Sequence, residues 1–130
     1  MTLADLYSRI EESQGESMSN QGYNGWTNYE TWVVNLWMDN EEGTYDYWRE
    51  VAQEIHNDLE EPTNSMTKMD EAVYLLADRL KDHHEEIKDE ILGNAQLTAS
   101  VWADLLGAAL AETNWREIAE HLLENVEVDA

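Results

Sequence analysis

The sequence lacks cysteine and is short of positive charge, of proline and of long apolar runs. Without cysteine the protein has neither disulfides nor thiolate chemistry, which fits a reducing compartment. The N-terminal residues do not combine a basic region with an apolar run, and no apolar segment approaches the ~20 residues needed to span a bilayer. These absences predict a soluble cytoplasmic protein that makes no membrane contact.

The charge balance is strongly acidic. The 130 residues include 29 Asp and Glu against 7 Lys and Arg, for a formal charge of −22 at pH 7. Such a surplus opposes compaction, and it disfavours direct binding of nucleic acid because a base-stacking platform needs a basic groove for the backbone. Six Trp and six Tyr exclude the disordered class of acidic chains, since their large rings supply buried surface. The chain is therefore expected to fold.

Apolar residues recur at helical spacing along most of the chain, and no alternating strand is flanked by hairpin turn residues. We predict an all-α fold, with one acidic domain over residues 1–130 that forms a bundle of about five to six helices around an aromatic-rich core. The Ser-, Gln-, Gly- and Asn-rich stretch at 13–25 predicts a loop or linker, and residues 126–130 a frayed tail. Tyr23 and Trp26 lie outside the helical periodicity and are expected to be exposed.

The helix that organises the predicted fold is rich in tryptophan. Thr27 and Glu30 have the spacing of a capping box, in which each side chain accepts a hydrogen bond from the other residue's backbone N–H. Apolar residues then recur at i, i+3, i+4, i+7 and i+8, a pattern typical of one buried face. This stripe consists of Tyr29, Trp32, Val33, Leu36 and Trp37. The helix is expected to end in the turn at 39–43.

Capping residues predict five further helices, at 2–12, 43–60, 67–93, from 98 onward and from 113 onward. Thr67 and Thr98 are the expected N-caps of the third and fourth of these, and Thr113, Asn114 and Glu117 offer capping chemistry for the last. Gly93 is the expected C-terminal cap of the longest helix, and Pro62 stops the helix before it. The residues expected to face the core are Leu3, Leu6, Tyr7, Ile10, Trp48, Val51, Ala52, Ile55, Leu59, Met69, Ala72, Val73, Leu76, Leu80, Ile87, Ile91, Val101, Trp102, Leu105, Leu106, Ala109, Leu110, Trp115, Ile118, Ala119, Leu122 and Leu123.

Carboxylates follow one another at intervals of four along the two helices after the aromatic one. The first row is Glu42, Asp46, Glu50, Glu54 and Asp58, and the second is Asp78, Asp82, Glu86 and Glu90. We call these two sets the acidic rows. At a rise of ~1.5 Å per residue the carboxylates stand roughly 6 Å apart, a spacing that resembles a phosphate backbone. Like charges at i, i+4 cost a helix about 0.2–0.5 kcal/mol per pair, so the acidic rows oppose helix stability.

The acidic rows have several interpretations. They present a DNA-like array to the basic groove of a nucleic-acid-binding protein, where counterion release and steering would favour a decoy as they favour DNA. Alternatively, they are solvated faces, or an adaptation to high salt. Loose binding of cations by the rows is a further alternative. The sequence leaves these alternatives open.

Dedicated metal and enzyme chemistry has little support in the residues. No His-x-x-x-His or Glu-x-x-His pair occurs, so His83, His84 and His121 are expected at the surface or between paired helices. No Gly-rich phosphate loop or nucleophile signature is present, and the carboxylates are too many to single out a catalytic pair. We expect no metal site, no cofactor and no enzymatic activity.

Two separated motifs resemble those of a family of small proteins found in bacteriophages, plasmids and prophage-bearing bacteria. The first is NYETW at 28–32 followed by LW-x-DN at 36–40, and the second is NW-x-EIA at 114–119. The resemblance extends over roughly residues 23–125 and implies a mobile-element setting. It transfers no site residues, since the shared positions, such as Trp32 and Ile118, are typical of a core.

Acidity and resemblance together predict a non-enzymatic nucleic-acid mimic from a mobile element, which inhibits a host DNA- or RNA-binding defence effector of the restriction or CRISPR type. Its partner would be a basic nucleic-acid-binding host protein, and a two-fold homodimer would extend the acidic surface. The alternative is an acidic structural or assembly adaptor that binds a protein partner without mimicry. Only the mimic should depend on the charges of the acidic rows.

Overall fold

A computed structural model describes residues 22–60 and 67–126, which contain five α-helices. They are α1 (Tyr29–Asn40), α2 (Glu42–Asp58), α3 (Lys68–Asn94), α4 (Val101–Glu112) and α5 (Trp115–Leu123). This part of the chain contains no strand, and the all-α prediction is confirmed. The predicted helix at 2–12, the stop at Pro62 and the tail from 127 onward lie outside the described residues.

The N-cap of α1 is Asn28. Its side-chain oxygen accepts a hydrogen bond from the backbone N–H of Thr31 at 3.0 Å and another from the Thr31 hydroxyl at 2.6 Å. The predicted capping box of Thr27 and Glu30 is therefore wrong. Thr27 instead joins α1 to α5, because its backbone N–H donates to Glu117 Oε1 at 2.9 Å.

The buried face of α1 also differs from the predicted stripe. Of the five stripe residues only Trp32 is buried, and its buried companions are Thr31, Asn35 and Met38. Thr31 is fully buried, and its hydroxyl oxygen accepts a hydrogen bond from the backbone N–H of Asn114, at the start of α5, at 2.8 Å. A periodicity that considers only apolar residues does not detect a face that polar hydrogen bonds help to bury.

The ends of α3 are set by two local motifs. Thr67 and Asp70 form the capping box at its start, which confirms Thr67 as the N-cap. Gly93, the predicted C-terminal cap, lies within the helix instead. Gln96 has a φ of 60°, its N–H donates to the Gly93 carbonyl at 3.1 Å, and the following N–H donates to the Leu92 carbonyl at 2.8 Å. This is a Schellman motif with Gln96 in the left-handed position that glycine usually takes.

Side-chain caps also begin the last two helices. Ser100 caps α4, since its hydroxyl accepts the backbone N–H of Ala103 at 3.2 Å, so the predicted start at Thr98 is wrong by two residues. Of the capping residues predicted for α5, Asn114 is the N-cap, and its side-chain oxygen accepts the N–H of Glu117 at 3.2 Å.

One cluster of buried residues forms the core, and α1, α2, α3 and α5 all contribute to it. Its members are Met38, Trp48, Val51, Ala52, Ala72, Val73, Leu76, Leu80, Trp115, Ile118, Ala119, Leu122 and Leu123. The most extensive helix contact joins α3 and α5. The core positions predicted for α5 are confirmed, as are Ala72, Val73, Leu76 and Leu80 in the first half of α3, where Met69 packs partly buried against the cluster. In α2, Trp48, Val51 and Ala52 are buried, while Ile55 and Leu59 pack partly buried against the cluster.

Two groups of residues predicted to face the core are exposed. Ile87 and Ile91, on the second half of α3, are 40% and 56% exposed. On α4 no residue is buried, and four large apolar side chains are exposed. These four, Val101, Trp102, Leu105 and Leu106, we call the α4 face. Periodicity identifies the apolar side of a helix, but that side is buried only where another element covers it, and none of the described residues covers these two groups.

Residues 23–26 form a tight turn that the sequence prediction missed. Tyr23 and Trp26 exchange two backbone hydrogen bonds of 2.8 Å, and Asn24 and Gly25 between them have φ values of 49° and 88°. An Asn-Gly pair favours such two-residue turns, because both positions need positive φ. Tyr23 and Trp26 are half-buried rather than exposed, and the Trp26 ring lies 5.4 Å from that of His121.

Candidate protein-binding surface

All nine residues of the acidic rows are exposed. The first row lies on α2 and the second on α3. Four residues correspond to slightly more than one turn, so each row winds slowly around its helix by about 40° per step. The carboxylates that the sequence singled out are therefore all open to a partner.

No ion pair joins a row carboxylate to a cation within the described part of the chain. The ion pairs found there lie elsewhere: Lys88 with Asp89 at 3.5 Å, Arg116 with Glu120 at 3.1 Å, and His121 with two other carboxylates. Arg49, beside the first row, donates instead to the Tyr45 hydroxyl and to a backbone carbonyl. The charges of the acidic rows are consequently not neutralised by neighbouring cations.

A groove of about 460 Å³ lies between α1, α2 and α3, and we call it the α1–α3 groove. Met38 and Trp48 line it and are only 2% exposed, whereas Trp37 is half-buried and Ile87 is exposed. Among the described residues of the lining, Glu41 is the one carboxylate, and neither Lys nor Arg is present. The sequence prediction missed this groove because it assigned Trp37 and Ile87 to the core.

Glu41 stands at the junction of α1 and α2 and has one oxygen held in place. The Thr44 hydroxyl, one turn into α2, donates to Glu41 Oε2 at 3.2 Å. Both side chains line the α1–α3 groove. The groove therefore combines apolar walls with one oriented negative group.

Two histidines line the α3 side of the groove. His84 Nδ1 lies 2.7 Å from the Leu80 carbonyl, so this nitrogen carries the proton that is donated. Burial lowers the pKa of His84 below its ordinary value, the nearby His83 lowers it further, and the hydrogen bond to Leu80 opposes the shift. The His83 ring packs edge-on against Trp48 at 5.2 Å. The lowered pKa favours the neutral form of His84, which limits the positive charge in the groove.

His121 joins the end of α1 to α5. Its Nε2 lies 3.3 Å from Asp39 Oδ2, an oxygen that also accepts the Asn35 side-chain amide at 2.9 Å. The hydrogen bond to Asp39 raises the pKa of His121, and the charges of Asp39 and Glu124 add to this effect while partial burial opposes it. The sequence prediction had no means of pairing these residues, because they are far apart in the chain.

The α4 face brings four large exposed apolar side chains together on one helix. Its four side chains are between 42% and 60% exposed, and α4 carries only two charged residues, Asp104 and Glu112. Gly107 lies in the middle of the helix, and a Cβ added there would meet no atom within 4 Å. Contiguous exposed apolar side chains of this kind often mark a binding surface.

The described residues contain no group of three or more His, Asp and Glu side chains arranged to hold a metal ion. None of the described helices combines the length and the apolar character that a membrane crossing requires.

Comparison with curated proteins and with solved structures finds no match. A family model does match, over residues 19–120, and it is described as a family of unknown function, DUF7249. The matched range contains both acidic rows, the residues of the α1–α3 groove and the α4 face. Because the match covers most of its length, this chain belongs to the DUF7249 family.

Proposed function

We propose that this protein is a non-enzymatic acidic mimic of nucleic acid, carried by a mobile element, that inhibits a basic DNA- or RNA-binding defence effector of the host, of the restriction or CRISPR type. The observation that carries this proposal is the state of the acidic rows. All nine carboxylates are exposed, and none has a cationic partner among the described residues, in a chain whose net charge is −22.

The physical basis of the inhibition is competition for a positively charged cleft. Lys and Arg side chains that neutralise phosphates would meet carboxylates spaced roughly 6 Å apart along a helix. Long-range attraction speeds the encounter, and binding weakens steeply as salt rises because both partners release counterions. The inhibitor and the nucleic acid cannot occupy the cleft together.

The cost of the acidic rows supports a use beyond solubility. The first row contains four adjacent i, i+4 pairs and the second contains three. At about 0.2–0.5 kcal/mol per pair, these repulsions sum to about 1.4–3.5 kcal/mol at low salt. This is a substantial share of the ~5–15 kcal/mol that stabilises a typical domain. A surface selected for solubility alone would be more stable with Lys or Arg at alternate row positions.

The test mixes the purified protein with candidate effectors and measures binding and nuclease inhibition across a salt titration. The charge reversals Glu50→Lys and Glu54→Lys, made together, should weaken binding at least tenfold near 0.1 M salt and reduce its salt dependence. Glu60→Lys with Glu112→Lys is the matched control, since both residues are exposed outside the acidic rows, neither forms one of the ion pairs described above, and the net charge changes equally. Binding that is insensitive to salt, or equally weakened by both double variants, would refute mimicry.

The α4 face favours a second candidate function, that of an acidic structural or assembly adaptor. In that case the partner packs against Val101, Trp102, Leu105 and Leu106, and the acidic rows only keep the protein soluble. Trp102→Gln with Leu105→Gln should then abolish partner binding, while the row reversals leave it intact. The reverse result supports the mimic and rules out this adaptor.

A further inference from the structure

The α1–α3 groove has the dimensions and the lining of a binding site. Its volume of about 460 Å³ falls in the ~300–1,000 Å³ range of ligand pockets, which are mostly apolar with a few polar groups. Two indoles, Trp37 and Trp48, line it together with aliphatic side chains, and Glu41 supplies the negative group. None of these features requires the acidic rows.

The charge of the groove selects its occupant. The described lining has one carboxylate, no Lys and no Arg, and it belongs to a molecule with a net charge of −22. An anionic ligand would be repelled by Glu41 and by the field of the whole protein, whereas a cation is concentrated there. Indole faces also attract cations, most strongly where water is excluded.

The shape of the groove selects among cations. Apolar side chains from α1 and α3 suit an aliphatic stem better than a small hydrated ion. Thr44 holds one oxygen of Glu41, which orients the carboxylate for a planar, forked donor. A guanidinium provides that fork, stacks on indole rings and is more weakly hydrated than an ammonium group.

We propose that the α1–α3 groove binds an arginine side chain of the protein partner, with its aliphatic stem between Trp37 and Ile87 and its guanidinium on Glu41. The identity of the partner as a basic protein rests on the proposed function, but the groove and its chemistry do not. The groove supplies a short-range anchor that distinguishes one basic partner from another, whereas the acidic rows supply long-range attraction. Arginine is among the few residue types that dominate the energetics of many protein interfaces.

The experiment uses a blocked peptide, acetyl-Ala-Leu-Arg-Leu-Ala-amide, and the same peptide with citrulline in place of arginine. Citrulline keeps the shape of the side chain and removes its charge. Binding to the full chain is followed by NMR in about 0.5 M NaCl, which screens attraction by the acidic rows. We expect saturable shifts of the Trp37 indole and of the His83 and His84 rings with a Kd on the order of 1 mM, and binding at least tenfold weaker for citrulline.

Two variants with equal charge change locate the site. Glu41→Gln should weaken arginine-peptide binding at least tenfold, while Glu90→Gln, an exposed row position on α3, should change it less than twofold. Both residues are exposed, so both variants should retain the helical fold. Equal binding of the two peptides, equal effects of the two variants, or no saturable shift up to about 10 mM peptide would each overturn the proposal.

The peptide assay needs no effector, so the two proposals fail separately. If row reversals abolish effector binding while Glu41→Gln leaves peptide and effector binding unchanged, the groove proposal is wrong and mimicry stands. If the peptide binds at Glu41 but row reversals leave effector binding intact, mimicry is wrong and the arginine site stands.

Discussion

Neutralising part of the first acidic row should stabilise the fold. Glu50 and Glu54 lie in the middle of this row on α2, both exposed, and neither side chain forms one of the ion pairs found among the described residues. Replacement by glutamine preserves the size of the side chain and nearly preserves its helix propensity. The change in stability should therefore report the repulsion within the row.

The magnitude follows from the number of like-charge pairs removed. Glu50→Gln removes the i, i+4 pairs with Asp46 and Glu54, which should raise the free energy of unfolding by about 0.4–1.0 kcal/mol. Adding Glu54→Gln also removes the pair with Asp58, for a total of about 0.6–1.5 kcal/mol. The double variant should gain less than the sum of the single variants, because the pair of Glu50 with Glu54 can be lost only once.

Urea and thermal unfolding followed by circular dichroism measure the effect at two salt concentrations. The Debye length is about 30 Å at 0.01 M salt and about 3 Å at 1 M, so the gain should be full at low salt and nearly vanish at high salt. A gain of 1 kcal/mol raises Tm by roughly 4 °C for a chain of this length. At low salt, Tm should therefore rise by about 2–4 °C for Glu50→Gln and by about 2–6 °C for the double variant.

Glu120→Gln on α5 is the matched control for each single variant. It changes the net charge equally but removes an exposed ion pair with Arg116, in which Nε donates to Oε1 at 3.1 Å, so its effect should be near zero or slightly destabilising. A gain for Glu120→Gln equal to that for Glu50→Gln would show that overall charge, not the row, sets the effect. A gain that persists at 1 M salt would refute the electrostatic reasoning.

Three further predictions concern the folded core and α4. The raised pKa of His121 beside Asp39 means that this contact stabilises fully below the unfolded value of about 6.5 and is lost as pH rises through the folded pKa. In urea unfolding, the free-energy advantage of wild type over His121→Gln should therefore shrink as pH rises above about 6.5, and a difference that stays constant with pH would contradict this. Thr31→Val should destabilise by about 1–3 kcal/mol because the Asn114 N–H loses its acceptor, and a change under about 0.5 kcal/mol would count against that role. Gly107→Ala should stabilise by about 0.5–1 kcal/mol, since the added methyl group meets open space, and a lower Tm would be the contrary result.

The α-helices could be predicted from the sequence, because capping residues and helical spacing involve residues close together in the chain. Thr67 with Asp70 and Asn114 with Glu117 act as caps within three residues of each other, and the core positions of α5 repeat at helical spacing. The boundaries that were wrong were decided by distant partners or by backbone geometry. Thr27 does not cap α1, and its backbone N–H instead donates to Glu117 on α5. Gln96 has the positive φ that a glycine was expected to supply at the end of α3.

Only part of the candidate site, the acidic rows, could be predicted from the sequence. The acidic rows depend on spacing along single helices, and all nine residues are exposed on the helices expected to carry them. The α1–α3 groove, by contrast, is the space left where three helices do not pack fully against one another. Trp37 and Ile87 could not be assigned to it from the sequence, because they recur at the same helical spacing as core residues. The pair of His121 with Asp39 depends on a contact between residues that no local spacing relates.

Composition and periodicity by themselves determined that this chain is acidic and helical and has tryptophan in its core. Charge and helical periodicity can be recognised within short stretches of sequence. Only the tertiary structure decided which apolar sides are covered. Trp48 is buried where α1, α2 and α3 meet, while Trp102, equally apolar and equally well spaced, is exposed on α4. The physical reason is that a side chain is buried only where a second element packs against it. The sequence of one helix shows which of its sides is apolar but not whether another helix covers that side.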